Sequence, residues 1–487
     1  MSTHQTRYIP FTPADPTTFD FASARKDIIN SLQKGILDVH KNPSSRHIVY
    51  VGNSGVLMMD WIVSSLPELP PISFTRIPSP ATLPEMSPKE NAVFFGEAIG
   101  NATLFLLGEL QGTNPVSETT KEDCETCIRM ISKAMEIAVN GERDVVGDGC
   151  EILFGRAGLL YAPLKLRSVI DSEPSRDESA LVKSIRELCS DQQLGVLIDD
   201  IIVRGREGAI TYAEELDVNE RVNAPGLMWS WRGKRYLGGA HGVVGILQMI
   251  ISSPTQLLFS HWGLIVKTIL WLVDIQLPSG NWPVRAEKDT YKRIEGDEKN
   301  RLVHWCHGAP ATLILFATIL RRFDSASSPL ALPPTLVTSL RKSLALGANL
   351  VYTQGLLRKG VGICHGVAGS VYTLLSVSDA ISLPKTNYES PGSESKTKTE
   401  GMMDKYLFQA IHLAHIATTY ESLTEKGEMN VPDRPYSLYE GLAGMCCAWV
   451  DIVKRLDRVL SINRSVLGDR IRKGSGMPAY DDLVWMD

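Results

Sequence analysis

Two short segments concentrate the chemistry of this chain: His304-Trp-Cys306-His307-Gly308 and Gly362-Ile-Cys364-His365-Gly366 each set a thiol and an imidazole against a glycine. Two thiols and one imidazole make a tetrahedral zinc set that uses three protein ligands and keeps the fourth position open for substrate. An open position means catalysis rather than scaffolding. The remaining cysteines lack this context. Cys124 and Cys127 have metal or redox spacing but fall in a helical pattern without a second pair, and Cys446-Cys447 read as small core residues after a glycine turn.

The elements that must bring these residues together are written as a repeat. Gly52-Asn-Ser-Gly55, Gly155-Arg-Ala-Gly158, Gly242-Val-Val-Gly245, Gly366-Val-Ala-Gly369 and Gly441-Leu-Ala-Gly444 are five complete copies. Two weaker copies, Gly96-Glu-Ala-Ile with Gly100 following and Gly308-Ala-Pro-Ala311, bring the count to seven. Apolar runs of helical character follow the turns, as at 56–63, 159–166, 312–320 and 445–453, and amphipathic or apolar stretches such as 124–139, 264–277 and 406–420 precede them. Helix pairs are therefore the unit. Seven hairpins with a glycine turn opening one helix of each pair predict an all-α fold, a closed α/α toroid whose inner helices present their N-termini at one rim. Such termini offer N–H groups to an anion, so Arg156, inside a turn, is expected to contact a carboxylate or phosphate.

With 487 residues, 44% of them hydrophobic, the chain can bury a large core, and a repeat running through it argues for one helical domain at 46–455, flanked by segments 1–45 and 456–487. Two stretches stand outside the repeat: a Pro/Ser-rich loop at 64–90 and an almost wholly polar insertion at 384–402, expected to be disordered. A formal charge of −5 gives no sign of nucleic-acid binding. The polar N-terminus, the apolar run broken by Lys267 and Asp274, and serine at position 2 predict no signal peptide, membrane span or myristoylation. A cytoplasmic location with reduced thiols follows, compatible with peripheral attachment to the plasma membrane through a partner or modification.

Several long motifs occur in an order that resembles the lanthionine synthetase C-like proteins, eukaryotic relatives of bacterial lanthipeptide cyclases. They are Tyr236-Leu-Gly-Gly-Ala-His241-Gly, Pro278-Ser-Gly-Asn-Trp282-Pro, Val303-His-Trp-Cys306-His307-Gly-Ala-Pro, Lys359-Gly-Val-Gly-Ile-Cys364-His365-Gly and Ser437-Leu-Tyr-Glu-Gly-Leu-Ala-Gly444. The resemblance covers nearly the whole chain. It implies seven inner and seven outer helices, with zinc on Cys306, Cys364 and His365. It also implies addition of glutathione, or a peptide thiol, to dehydroalanine or dehydrobutyrine, after phosphate loss from phosphoserine or phosphothreonine. His241 then matches an active-site acid/base, His307 stands where cyclases tend to carry a tyrosine, and Glu151 replaces an active-site aspartate. Lys359 matches a lysine associated with glutathione binding in the family and Arg7 resembles an arginine of the eukaryotic N-terminal segment, both expected to bind substrate, whereas His304 has no family role. Ala311, Glu97 and Ile99 depart from the usual turns, and none removes a zinc ligand.

Dehydroamino-acid or phosphorylated peptides and glutathione are thus the expected partners. The contrasting expectation is a zinc-containing, glutathione-binding signalling or scaffold protein without turnover, suggested by the 64–90 and 384–402 segments. A dedicated peptide cyclase lacks a recognisable leader-binding signature, and a glycoside hydrolase would need paired carboxylates where this chain has thiols.

Overall fold

The structure is a computed structural model describing residues 6–83, 93–113, 121–140, 148–172, 179–288, 290, 301–324, 328–382, 403–460 and 476–483. The 384–402 insertion lies outside the described residues. Among the described residues fifteen α-helices follow one another: α1 (Phe21–Lys41), α2 (Asn53–Val63), α3 (Ala98–Gln111), α4 (Lys121–Asn140), α5 (Arg156–Asp171), α6 (Ala180–Leu188), α7 (Asp191–Glu215), α8 (Val243–Ile251), α9 (Trp262–Asp274), α10 (Ala309–Phe323), α11 (Pro334–Gln354), α12 (Val367–Ile381), α13 (Lys405–Ile416), α14 (Tyr420–Glu425) and α15 (Leu442–Val459). Among the described residues, β pairing is confined to isolated bridges.

Seven of these helices form the inner layer. In the order α2, α3, α5, α8, α10, α12 and α15 each touches the next, and α15 touches α2, so the ring is closed. They are buried over most of their length, and all nine residues of α8 are buried, as in a helix surrounded by protein. Around them, α4 packs on α3, α6 and α7 on α5, α11 on α10, α13 on α12 and α1 on α15. The outer place between α2 and α3 has no long helix. Residues 64–83 fill it with a single 3₁₀ turn at Pro80–Thr82, burying Leu66, Leu69 and Ile77 and giving the Thr75 N–H to buried Asp60 at 2.7 Å. The Pro/Ser-rich stretch is thus a substitute for an outer helix over its described part. Thr255–Asp274, which includes α9, is long and apolar enough to cross a membrane by length and composition. Here it packs Ile265, Ile269 and Leu272 into the core and exposes Phe259 and Leu270.

The glycine turns share one construction. The first helical N–H groups reach back to carbonyls seven residues earlier: Arg156 to Gly149 and Ala157 to Cys150, Val243 to Tyr236 and Val244 to Leu237, Val367 to Gly360 and Ala368 to Val361. The returning chain passes so close that a Cβ on Gly158 would lie 1.9 Å from the Ile152 carbonyl oxygen, and one on Gly369 2.2 Å from that of Ile363. Any side chain there would collide with backbone. The helix at Gly308 departs from this plan. Gly308 has a φ of 111°, and the buried Asn281 side chain accepts from the Ala309 N–H at 2.8 Å while donating to the Leu302 carbonyl at 3.1 Å. This side-chain cap gives the Pro-Ser-Gly-Asn-Trp motif a structural role and accompanies the Ala311 departure.

The described parts of both flanking segments pack into the ring. Helix α1 is an outer helix, and residues 476–483 cross the interior. Asp482 accepts from Lys165 of α5 at 2.7 Å and from the Tyr161 hydroxyl at 2.9 Å, while Asp481 accepts from Arg321 of α10 at 2.8 Å and from Ser376 of α12 at 3.2 Å. Helix α8 separates α5 from α10, so a segment that touches both lies inside the ring. Tyr480 is fully buried and meets Trp305 edge-on at 5.1 Å. Asp481→Ala would remove a buried carboxylate that accepts from Arg321, Thr318 and Ser376, a loss of about 1–3 kcal/mol for donors left unsatisfied in the interior. Chemical denaturation is expected to show a lower unfolding midpoint for this variant, and an unchanged midpoint would contradict the role of the crossing segment.

Candidate metal centre and active site

The turns converge through the backbone. The Cys306 N–H donates to the Cys364 carbonyl at 3.2 Å, Cys364 to Tyr439 at 2.7 Å and Tyr439 to Tyr50 at 3.1 Å. All four residues stand two places before a turn glycine, so this position of the repeat lines one rim of the ring. The next position holds His241, His307, His365 and Glu440 in successive turns. The site is therefore a register effect: equivalent residues of neighbouring hairpins become lateral neighbours.

Cys306, Cys364 and His365 each offer a ligand atom, and these atoms lie within 4.8 Å of one another. Cys364 is buried, Cys306 and His365 half-buried. Burial pushes the Cys364 thiol well up, and the neighbouring Cys306 thiol pushes further the same way. A buried pair of thiols beside an imidazole suits a soft or borderline cation that holds thiolates, and the donor set fits zinc. Tyr50 stacks on Tyr439 at 4.8 Å and is itself held neutral by burial and by the nearby Cys364 and Cys306 thiols.

Beside the thiols, His241 Nδ1 meets the Glu151 carboxylate at 2.8 Å. Glu151 is 2% exposed and also accepts from the N–H groups of Leu153, at 2.8 Å, and Phe154. With Nδ1 engaged, Nε2 is the ring nitrogen left for proton transfer. Trp231 stacks on His241 with centroids 3.8 Å apart and planes 2° from parallel, so edge and face of the imidazole are both fixed. Tyr236 lies between two imidazoles, 6.1 Å from His241 and 5.5 Å from His307. Burial lowers His307 to about 4, helped by His241 and the nearby Arg285 and Lys359. His304, 6.1 Å from His365, falls to about 3 through burial and then His365, Lys359 and Arg7.

Arg7 and Lys359 arrive on one strip of chain. The Ile9 N–H donates to the Leu356 carbonyl at 2.7 Å and the Arg358 N–H to the Arg7 carbonyl at 3.1 Å, which sets the N-terminal segment alongside the loop that leads to Cys364. Both cationic side chains are exposed. Arg156 is used differently. Its guanidinium donates to the Ala138 carbonyl at 2.9 Å and the Gly149 carbonyl at 3.1 Å, and it pairs with Asp200 at 2.6 Å. It braces α4, the turn and α7, instead of being held out toward a substrate anion. The backbone-capped helix starts likewise have their first N–H groups taken.

A profile of the lanthionine synthetase C-like protein family matches residues 84–462. The chain belongs to this family. Over 337 residues it is 23% identical to a Danio rerio protein named Glutathione S-transferase LANCL1, an overlap that covers 68% of this chain and 65% of that protein. Over 329 residues it is 25% identical to LanC-like protein GCL1 of Arabidopsis thaliana, covering 67% and 60%. The matched region thus spans somewhat under two thirds of each relative's length. Within this lanthionine synthetase C-like chain, Tyr50, Trp231, Tyr236, Tyr439 and Glu440 join the residues expected at the site. Only the register of the repeat could have pointed to Tyr50 and Glu440.

Cys306→Ala and Cys364→Ala are each expected to abolish stoichiometric zinc, measured by elemental mass spectrometry on purified protein, while Cys447→Ala in the core keeps it. His307, whose folded pKa is depressed from 6.5 to about 4, contributes stability that is whole above about pH 6.5 and is lost as pH falls toward 4. The stability difference between pH 7 and pH 5 should therefore shrink in His307→Gln. NMR at pH 5.5 should show the His307 ring still neutral, and a protonated ring would contradict its burial.

Proposed function

We propose that the protein activates a thiol, glutathione foremost, and adds it to dehydroalanine or dehydrobutyrine residues of peptides. The observation that carries this reading is the Cys306, Cys364 and His365 cluster, with donor atoms within 4.8 Å, beside an imidazole whose Nδ1 is held by Glu151. The name of the Danio rerio relative, a glutathione S-transferase, supports glutathione as the thiol. Zinc on these three residues would stabilise a bound thiolate at neutral pH, where a free thiol with a pKa of about 8.5 stays mostly protonated.

The surrounding residues supply the rest. The thiolate sulfur bonds to the β-carbon, the alkene electrons move onto the adjoining carbonyl, and the α-carbon must then take a proton. His241 is the proton carrier, with Glu151 fixing its tautomer and Trp231 its plane. His307, neutral at physiological pH, offers a hydrogen bond to the developing enolate oxygen without adding a buried charge. Arg7 and Lys359 are suited to the two carboxylates of glutathione. Run in the other sense, His241 could remove the α-proton of a phosphoserine or phosphothreonine as phosphate departs, which would generate the acceptor at the same site. The cytoplasm, where thiols stay reduced, suits a chain whose eight cysteines are all free.

Zinc-loaded protein incubated with glutathione and a dehydroalanine peptide is expected to give the thioether adduct by mass spectrometry. His241→Ala should lower kcat by about 10²–10⁴-fold, the usual contribution of a positioned acid or base, with zinc content unchanged. Zinc-loaded protein that neither binds glutathione nor forms the adduct would sink this reading.

A further inference from the structure

The cationic side chains near the site fall into two groups, and only Arg7 and Lys359 have been assigned. The second group stands on the His241 side. Trp231, Arg232, Gly233 and Lys234 form a tight turn in which Trp231 and Lys234 exchange N–H donors to each other's carbonyls at 2.9 and 3.0 Å. Arg232 and Gly233 both have left-handed backbone, with φ of 49° and 68°. This is a type I′ turn, whose first central position favours asparagine, aspartate or glycine. An arginine there is held in a conformation that costs a residue with a Cβ, and such strain clusters at ligand sites.

The Arg232 guanidinium lies over the Trp231 ring at 4.7 Å, and Trp231 in turn is the ring stacked on His241. A parallel arrangement holds Arg285. Its guanidinium lies over Tyr236 at 5.5 Å, its backbone bridges to that of Tyr236, and Tyr236 adjoins His241 and His307. Each arginine is thus mounted on an aromatic ring that touches a candidate proton-transfer imidazole. Other arginines of this sector are neutralised: Arg156 and Arg204 pair with Asp200, and Arg235 pairs with Glu215. Among the described residues no carboxylate pairs with Arg232 or Arg285. Arg232 is exposed and Arg285 half-buried, and Phe154, 65% exposed and stacked near Trp231 at 6.3 Å, adds an apolar shelf.

We propose that Arg232 and Arg285 form an anion subsite for the acceptor peptide, next to His241 and on the side of His307 away from the Arg7 and Lys359 pair. It rests on the thiol-addition reading and deepens it by naming the acceptor's chemistry: a peptide carrying an anionic group, either a phosphate monoester or an acidic side chain. The attraction of a guanidinium to a ring face leaves N–H groups not engaged by the ring, so both arginines keep donors for such oxygens.

The test reads binding rather than turnover. Zinc-loaded full-length protein is titrated into three fluorescent peptides that differ at one position, phosphoserine, glutamate or serine, and followed by anisotropy. Wild type is expected to prefer an anionic peptide over the serine peptide by about tenfold, the scale of one or two charge-assisted hydrogen bonds. Arg232→Asn, which suits the left-handed turn, and Arg285→Gln should each remove most of that preference, with thermal unfolding of Arg232→Asn no lower than wild type. Preference for phosphoserine alone would identify phosphate as the anion, and equal preference for glutamate a carboxylate. Absence of any preference in wild type, or its persistence in both variants, would overturn the subsite. Failure of glutathione addition by wild type would instead strike the reaction, leaving the subsite to be decided by its own isotherms.

Discussion

A circuit of backbone hydrogen bonds between neighbouring turns is the interaction on which the rest depends. Phe94 donates to Gly158, Ile152 to Ala240, Gly239 to Trp305, Cys306 to Cys364, Cys364 to Tyr439 and Tyr439 to Tyr50. The junction between the first two turns is made by Asn101, whose amide donates to the His47 carbonyl at 2.7 Å. Each bond is worth only about 0.5–1.5 kcal/mol net, but each also fixes the lateral register of two hairpins. The glycines make it feasible, because a Cβ at the third helical position would push the returning strand away. Chemistry then follows from register: two thiols become neighbours because they hold the same place in adjacent repeats.

Electrostatics at the rim follow from burial of groups that the circuit gathers. His304 and His307 are pressed into neutrality, so they add hydrogen-bonding capacity without adding charge. Positive charge stands further out, on Arg7 and Lys359 to one side and Arg232 and Arg285 to the other. His241 differs from its two neighbours because a buried carboxylate, itself satisfied by two backbone N–H groups, stands at its Nδ1. One repeat position therefore yields imidazoles with different assignments, distinguished by what the preceding loop packs against each.

Much of the fold was legible in the sequence because its strongest signal, glycine at fixed spacing before apolar runs, has a direct steric cause. The seven inner helices and the convergence of their starts on one rim were readable from it, as were the thiol positions, whereas the outer helix expected between the first two is replaced by residues 64–83 over its described part. Other features depend on contacts that spacing cannot express. Arg156 sits in a turn like a substrate ligand, yet the Ala138 carbonyl and Asp200 reach it from two outer helices. Tyr50 has no motif of its own and joins the site through ring closure, which brings the first turn against the last. Residues 64–83 read as loop because proline and serine forbid a long helix, although they fill a helix's place. The helix starts looked open to anions, since nothing in the sequence shows a carbonyl returning from seven residues upstream.

The segment that crosses the ring also bears on how the molecule assembles. Asp481 and Asp482 bind helices whose residues lie more than a hundred positions earlier, and α1 must meet α15 for the ring to close. Contacts this distant in sequence make folding slow, because chain entropy is lost before those contacts repay it. During synthesis the earlier hairpins would have to wait with an apolar inner surface uncovered, the condition under which nascent chains depend on chaperones. A ring whose interior is completed by its own distal chain gains a packed floor against Trp305, and carries a prolonged, aggregation-prone interval before that floor is laid.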